Sequence, residues 1–311
     1  MIRVIATIFG VLFGLALGSF LNVCLSRWPA AESLVRPRSH CRRCDHTLTW
    51  WENIPLLSWV LLRGRCRRCH YRIGWRYPLV ELAIAVLWAF SFWRTLRGWS
   101  GLDAFLSPED ATQNIVNLIF ETLRPLILTW LLVALAMLDL DNFWLPDWLT
   151  VQGAAFGLLF NLSHFALQWI LASATPELMR DGIKQSQRHS ISILILWWLP
   201  GVVVGPAIIL LIRWLYQSIR HRQGMGLGDV KLMALIGAWL GLPGALLTLV
   251  LGAVLGAVTA LALLAFPGAR SKNKSWAATK LPLGTFLCLG GIVSFFWGGV
   301  IIRAYLRWAG L

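Results

Sequence analysis

Charge is scarce in this chain, and acid scarcer still. Asp, Glu, Lys and Arg make up 14% of its 311 residues against 58% hydrophobic, and only 14 residues are acidic against 28 basic. So little charge, set among apolar stretches able to cross a hydrocarbon core of roughly 30 Å at about 20 residues per helix, excludes an ordinary soluble domain. It implies a polytopic membrane protein. Two further absences narrow the class. No small-residue cleavage pattern follows the first apolar run, which has one basic residue, Arg3, ahead of it. That run is expected to remain as a helix and not to be removed as a signal peptide. No Lys-Ser/Thr ending follows the glycine-rich turn at Gly224, Gly226 and Gly228, which removes a P-loop phosphate cradle.

What is present is a ladder of apolar runs, predicting spans at about 2–25, 78–97, 124–139, 149–171, 191–216, 229–242, 244–266 and 282–303. The expected fold is therefore all-α and polytopic, with about eight transmembrane helices. The short sixth span is set off from the seventh by Gly241-Leu242-Pro243-Gly244. In the first, Gly10, Gly14 and Gly18 share one face at four-residue spacing, which permits close helix packing. Tryptophan is abundant, at 19 residues, and Trp144, Trp148, Trp197, Trp198 and Trp308 fall near span ends, where indoles favour the membrane interface.

Arginine dominates the loop 26–77, from Arg27 to Arg76, against Glu32, Asp45 and Glu52 alone. The positive-inside rule makes this loop cytoplasmic, together with the loops carrying Arg220 and Arg222 and Arg270, Lys272, Lys274 and Lys280. Asp103, Glu109, Asp110 and both termini then fall on the far side. Topology thus accounts for the net charge of +14 without nucleic acid. Three parts are expected: a first transmembrane helix at 1–25, a cytoplasmic loop domain at 26–77, and a transmembrane domain at 78–311.

The loop holds Cys41 and Cys44, followed after a 21-residue spacer by Cys66 and Cys69. Two Cys-x-x-Cys knuckles offer the four thiolates of a closed zinc site. Disulfides are disfavoured in a reducing cytoplasm, and a redox pair is the remaining alternative. With every position filled by thiolate such a metal is structural, and it would hold folded a loop too small for its own core. Cys24 and Cys288 lie in apolar runs and read as small buried hydrophobes.

Asp139 and Asp229 each sit where an apolar helix meets a polar turn, a costly position that marks a functional hypothesis. Two carboxylates brought close share a proton, so that one can activate water while the other donates to a carbonyl, as in aspartic proteases. Gly226 and Gly228 would let a substrate backbone approach Asp229. Lys231 reads as an interfacial anchor, Asp147 as a helix start after Pro146, and Asp141 as a solvated rival to Asp139. Capping, or ion pairing with Lys231, would be a structural reason for the pair. The turn after Asp139 falls on the cytoplasmic side, so the acids and the cysteines are expected to share one membrane face.

The residues that carry a wider likeness are Gly18-Ser19-Phe20-Leu21-Asn22-Val23 with Arg27 and Pro29, the two knuckles, Glu52-Asn53-Ile54-Pro55 with Ser58-Trp59, and Arg76-Tyr77-Pro78-Leu79-Val80-Glu81. Asp139 with Leu145-Pro146-Asp147, and Gly226-Leu227-Gly228-Asp229 with Lys231-Leu232, complete the set. Through these the chain resembles the type IV prepilin peptidases along nearly its whole length. The resemblance implies an enzyme of the bacterial inner membrane that cuts basic leaders from prepilins or type II secretion pseudopilins after a glycine, at the cytoplasmic face, using Asp139 and Asp229. It also implies N-methylation of the new N-terminus with S-adenosylmethionine, associated with the cysteine loop. No glycine-rich strand-to-helix fingerprint accompanies that second activity, so it rests on resemblance.

Two departures stand out. The first knuckle reads Cys41-Arg42-Arg43-Cys44 where the family usually has proline after the cysteine, and a stretch from Ser173 to Ser190 lengthens the gap between the aspartates as a far-side insertion. A prepilin's basic leader precedes an apolar helix lodged in the bilayer, so the leader is expected to meet carboxylates such as Asp141 or Glu52. The rival readings are an ion-coupled membrane transporter with intramembrane carboxylates, a membrane-anchored zinc-ribbon nucleic-acid binder, and an archaeal-type preflagellin peptidase, against which the cysteine loop argues. No dimer seam stands apart from internal packing faces.

Overall fold

Seven helices among the described residues are long and apolar enough to cross a membrane. The computed structural model describes residues 2–97, 108–173, 198–221, 226–265 and 281–310. In chain order the helices are α1 (Ile2–Arg27), α2 (Leu57–Leu61), α3 (Arg76–Arg97), α4 (Pro108–Asn142), α5 (Asp147–Ser173), α6 (Leu199–Arg220), α7 (Leu227–Ala265) and α8 (Leu283–Trp308), with a 3-10 turn at Trp51–Asn53. Many of their apolar side chains, Leu12, Val203, Leu211 and Leu261 among them, are exposed, as lipid-facing positions require.

The chain divides into two compact units, Met1–Ala134 and Leu135–Leu311, with the boundary inside α4. In the first unit the glycine stripe of α1 meets α3 backbone to backbone. A Cβ on Gly14 would lie 2.8 Å from the Ala85 Cα, one on Gly18 2.7 Å from the Glu81 Cα, and one on Gly10 3.2 Å from the Trp88 carbonyl. Ascending residues of α1 meet descending residues of α3, so the two run antiparallel. The cysteine loop, two turns and two isolated antiparallel bridges, joins them.

The third span is longer than expected. The expected span covers about 124–139, yet α4 runs unbroken through Arg124 and Pro125 and its apolar reach is Thr112–Asn142. Proline leaves the carbonyl four residues earlier without its helical donor. That carbonyl, on Glu121, accepts the Thr95 hydroxyl of α3 at 3.5 Å, so a neighbouring helix supplies what the proline removed.

In the second unit α7 has 39 residues, more than one crossing takes, and breaks at Gly241 with φ 69° and ψ −175°, a conformation favouring glycine. The expected spans at 229–242 and 244–266 are its two arms. The first arm packs on α5 and α6: the buried Trp239 donates to the Gly153 carbonyl at 3.0 Å, Asn161 reaches the Ala238 carbonyl at 3.1 Å, and Gly237 lies against the backbone of Gly201. The second arm runs antiparallel to α8, with Gly244 accepting the Ser294 hydroxyl at 3.0 Å, Gly252 beside Leu287 and Gly256 beside Phe286. Of the expected features, the insertion 173–190 beyond its first residue, the start of the fifth span at 191–197 and the basic loop 270–280 lie outside the described residues.

Because Gly14 faces backbone, its neighbour cannot move aside as a side chain would. Gly14→Leu is expected to lower the thermal midpoint in detergent, through about 1–3 kcal/mol of overpacking. Leu12→Ala, at a side chain 61% exposed, should leave the midpoint near wild type.

Candidate functional site

Both aspartates are buried, Asp139 at 6% exposure and Asp229 at 9%. Asp139 lies in the last turns of α4, and its Oδ2 accepts the Thr285 amide at 2.7 Å and the Thr285 hydroxyl at 3.1 Å. Thr285 is in the first turn of α8, where amides have no helical acceptor. Asp229 lies in the first turn of α7, and its carboxylate takes the amide of Gly226 just ahead of that helix. Each acid therefore faces the positive end of a helix dipole, α8 for Asp139 and α7 for Asp229. Leu145 lies against Gly228, next to Asp229, and against Gly284, which faces the Asp139 carboxylate, so the two acids share one neighbourhood. Cys288, one turn along α8, is fully buried within reach of both, which agrees with its reading as a small core residue.

Bare glycine backbone shapes the surroundings. A Cβ on Gly284 would meet the Asp139 Oδ2 at 2.9 Å and the Leu145 Cδ1 at 3.0 Å, and one on Gly228 would meet the Leu145 Cβ at 3.1 Å. Gly228 thus seats Leu145, an internal packing role. A Cβ on Gly226 would meet nothing closer than 3.8 Å, and Gly226 is exposed, so internal packing does not explain its lack of a side chain. Gly224 lies outside the described residues.

Lys231 pairs with Asp147, at 2.6 Å between Nζ and Oδ2, and not with the buried acids. Asp147 opens α5, as its position after Pro146 predicts. Asp141 is exposed, but it belongs to the last turn of α4, because the helix continues to Asn142 before Phe143 takes φ 49°. Gly284 and Thr285 were missed by sequence reasoning. The run Pro282-Leu283-Gly284 ahead of an apolar stretch could have marked a helix start, but nothing in it names the acid that the start receives.

In the first unit the four cysteines converge, with all four sulfurs within 4.8 Å of one another. Cys41 and Cys69 lie 3.7 Å apart and Cys44 and Cys66 3.9 Å, close to the roughly 3.8 Å edge of a tetrahedron with 2.3 Å metal–sulfur bonds. The knuckles are copies offset by 25 residues. Cys41 N–H donates to the His46 carbonyl and Cys66 N–H to the Tyr71 carbonyl, both at 2.9 Å, and Asp45 and His70 both take positive φ. The same offset is legible in His40-Cys41-Arg42-Arg43-Cys44 and Arg65-Cys66-Arg67-Arg68-Cys69. The Cys69 amide, working against burial and joined by the Arg68 amide and the thiols of Cys41 and Cys69, brings Cys66 down to about 7. At Cys44 the His46 amide favours thiolate, but burial and the three surrounding sulfurs push it up to about 12. Four crowded sulfurs cannot all ionise together without a cation, and the set could hold a metal ion.

Beside the knuckles is a cavity of about 600 Å³, walled by the loop and by the adjoining ends of α1 and α3. Arg27 is buried there, donating to the carbonyls of Ser33 and Pro37 at 2.6 Å each. Glu52, one of the carboxylates expected to meet a basic leader, is only 5% exposed. Burial disfavours the ionised form of Glu52, yet the Thr49 hydroxyl at 2.6 Å, the Thr49 amide at 2.8 Å and His46 at 3.3 Å outweigh it and hold the carboxyl below its ordinary range.

The profile of the Bacterial Peptidase A24 N-terminal domain matches residues 12–95, and that of the Type IV leader peptidase family matches residues 187–261. A prepilin leader peptidase/N-methyltransferase of Stutzerimonas stutzeri is 33% identical over 97% of this chain and 94% of its own length. Proteins of the same name from Pseudomonas aeruginosa and Aeromonas salmonicida are 32% and 34% identical, over 96% and 95% of this chain and 93% and 92% of their own lengths. No solved structure matches the chain.

Elemental analysis of the purified protein is expected to find a metal bound in stoichiometric amount. Cys66→Ser should lose it and expose the loop to protease, because metal binding and folding of so small a loop are coupled. Acidification should release the metal as the thiolates take up protons.

Proposed function

The chain belongs to the type IV leader peptidase family, and from that premise we propose that it cleaves the basic leaders of prepilins or pseudopilins with Asp139 and Asp229 as the catalytic pair. The observation that carries this reading is the burial of two carboxylates, each against the opening turn of a helix, with Leu145 packed against the bare glycines beside both. It is a multi-pass membrane enzyme, a peptidase and N-methyltransferase. Its site is in the bacterial inner membrane and opens to the cytoplasm, where basic leaders are presented.

The pair holds one proton between two carboxyl groups. The ionised member takes a proton from water, which attacks the scissile carbonyl; the protonated member gives its proton to the carbonyl oxygen. Collapse of the tetrahedral intermediate returns a proton to the leaving amine. Gly226 supports this reading as a bare, exposed position beside Asp229 along which an extended backbone can lie. Gly228 takes part indirectly, by seating Leu145. The transporter alternative has no support in the relatives, which are peptidases by name.

Cys41, Cys44, Cys66 and Cys69 would hold zinc in a structural role, since four thiolates leave no position for water. S-adenosylmethionine, when bound, would supply the methyl group for the new N-terminal amine.

With purified protein in detergent and a prepilin substrate, Asp139→Asn and Asp229→Asn are each expected to reduce cleavage by about 10²–10⁴-fold. Intact mass should show the wild-type product heavier by one methyl when S-adenosylmethionine is present. Undiminished cleavage by either variant would sink the dyad. Thr285→Val removes a hydroxyl that bonds Asp139 and should slow cleavage about tenfold, while Thr285→Ser stays near wild type.

A further inference from the structure

Helix α2 is apolar on its outer side. Ser58 and Trp59, with Leu62 just beyond the helix, face inward to the loop. Leu57, Val60 and Leu61, at the i, i+3 and i+4 spacing of a single helix face, are from 50% to 64% exposed. An apolar outer face rimmed by arginine marks a surface that something else covers.

The depth of that face is set by α3. The Leu56 amide, at the entrance to α2, donates to the Glu81 Oε2 at 2.8 Å. Glu81 is the sixth residue of α3, whose apolar span opens at Arg76, so at 1.5 Å per residue it lies about 7–8 Å inside that end. Interfacial helices rest at a similar depth, about 5–10 Å into the boundary between headgroups and acyl chains. Leu79 and Leu82, at the same level of α3, are exposed as lipid-facing positions are. Trp75, immediately ahead of α3 and itself exposed, packs on Trp59 of α2 with ring centroids 4.3 Å apart. That contact ties α2 to an indole at the end of a span, where indoles favour the membrane interface.

We infer that α2 lies in the plane of the leaflet that the cysteine loop faces, with Leu57, Val60 and Leu61 among the upper acyl chains. Arg63 and Arg65, both exposed just beyond the helix, then stand among anionic headgroups. Charge complementarity and depth single out lipid as the cover: a leaflet presents hydrocarbon and phosphate side by side, as α2 and its flank present aliphatic side chains and arginine. Ile73 joins α2 to the second knuckle, accepting from the Trp59 indole at 3.2 Å and donating to the Gly64 carbonyl at 2.7 Å. The metal-clamped loop is thereby held against the membrane surface. Such docking requires that α1 and α3 cross the bilayer and is independent of the chemistry at the aspartates.

Depth-dependent quenching tests this on the full chain in nanodiscs of phosphatidylcholine and phosphatidylglycerol. A coumarin-bearing amino acid takes the place of Leu61, and the lipids carry a nitroxide either near the headgroup or near the chain end. The shallow nitroxide is expected to quench about twofold more than the deep one, with iodide in the water quenching little. Quenching by iodide and by neither nitroxide would put the face in water and overturn the docking. Protection from all three would mean a protein cover, a second copy or another segment, and overturns it equally. Stronger quenching by the deep nitroxide overturns the in-plane placement. Should the labelled chain aggregate, the same label in place of Val60 gives the same reading. Nitroxide carried by phosphatidylglycerol should quench about twofold more than nitroxide carried by phosphatidylcholine, and Arg63→Gln with Arg65→Gln should abolish the excess. An equal response to the two lipids in the chain with both arginines overturns the headgroup contact.

Discussion

A carboxylate inside an apolar bundle has to be met by donors, and this acid pair is met by the opening turns of two helices. Asp139 takes the Thr285 amide and hydroxyl at the start of α8; Asp229 takes the Gly226 amide ahead of α7. Those amides have no acceptor of their own within their helices, so each interaction satisfies two needs at once. Capping and catalysis are therefore not competing explanations of the pair. An aspartate that serves a helix start is also one whose position is fixed, as general acid–base chemistry requires.

The same constraint explains the bare backbone around the acids. Gly284 leaves room for the Asp139 carboxylate, Gly228 leaves room for Leu145, and Leu145 packs between the two motifs. In the first unit glycine serves a different end. The stripe at Gly10, Gly14 and Gly18 draws α1 onto the backbone of α3, which gives the cysteine loop two closely held helix ends from which to fold. Four sulfurs then gather by means of two knuckles repeated at a 25-residue offset.

Much of this was legible beforehand because it depends on local composition or spacing. The apolar runs marked the helices, the Cys-x-x-Cys pairs marked the cluster, and Gly241 marked the break in α7. What stayed hidden depended on partners that composition and spacing do not reveal. Pro125 lies inside α4, and Thr95 of another helix serves the carbonyl it leaves open. Glu52 stands in an arginine-rich loop, and Thr49 and His46 enclose it. Lys231 pairs with Asp147, across 84 residues of chain.

By itself the sequence determined that this is a helical membrane protein, that it carries two costly acids at helix ends, and that four cysteines are spaced to share one ion. Hydropathy, periodicity and ligand spacing act over a few residues, and a few residues suffice to read them. Tertiary structure alone decided which amides meet each acid, that Gly228 seats a leucine while Gly226 stays open, and that one oxygen of Glu52 is buried without a donor beside a cavity. Such facts arise from pairings between segments tens to more than a hundred residues apart, and they are set by how backbones approach in three dimensions.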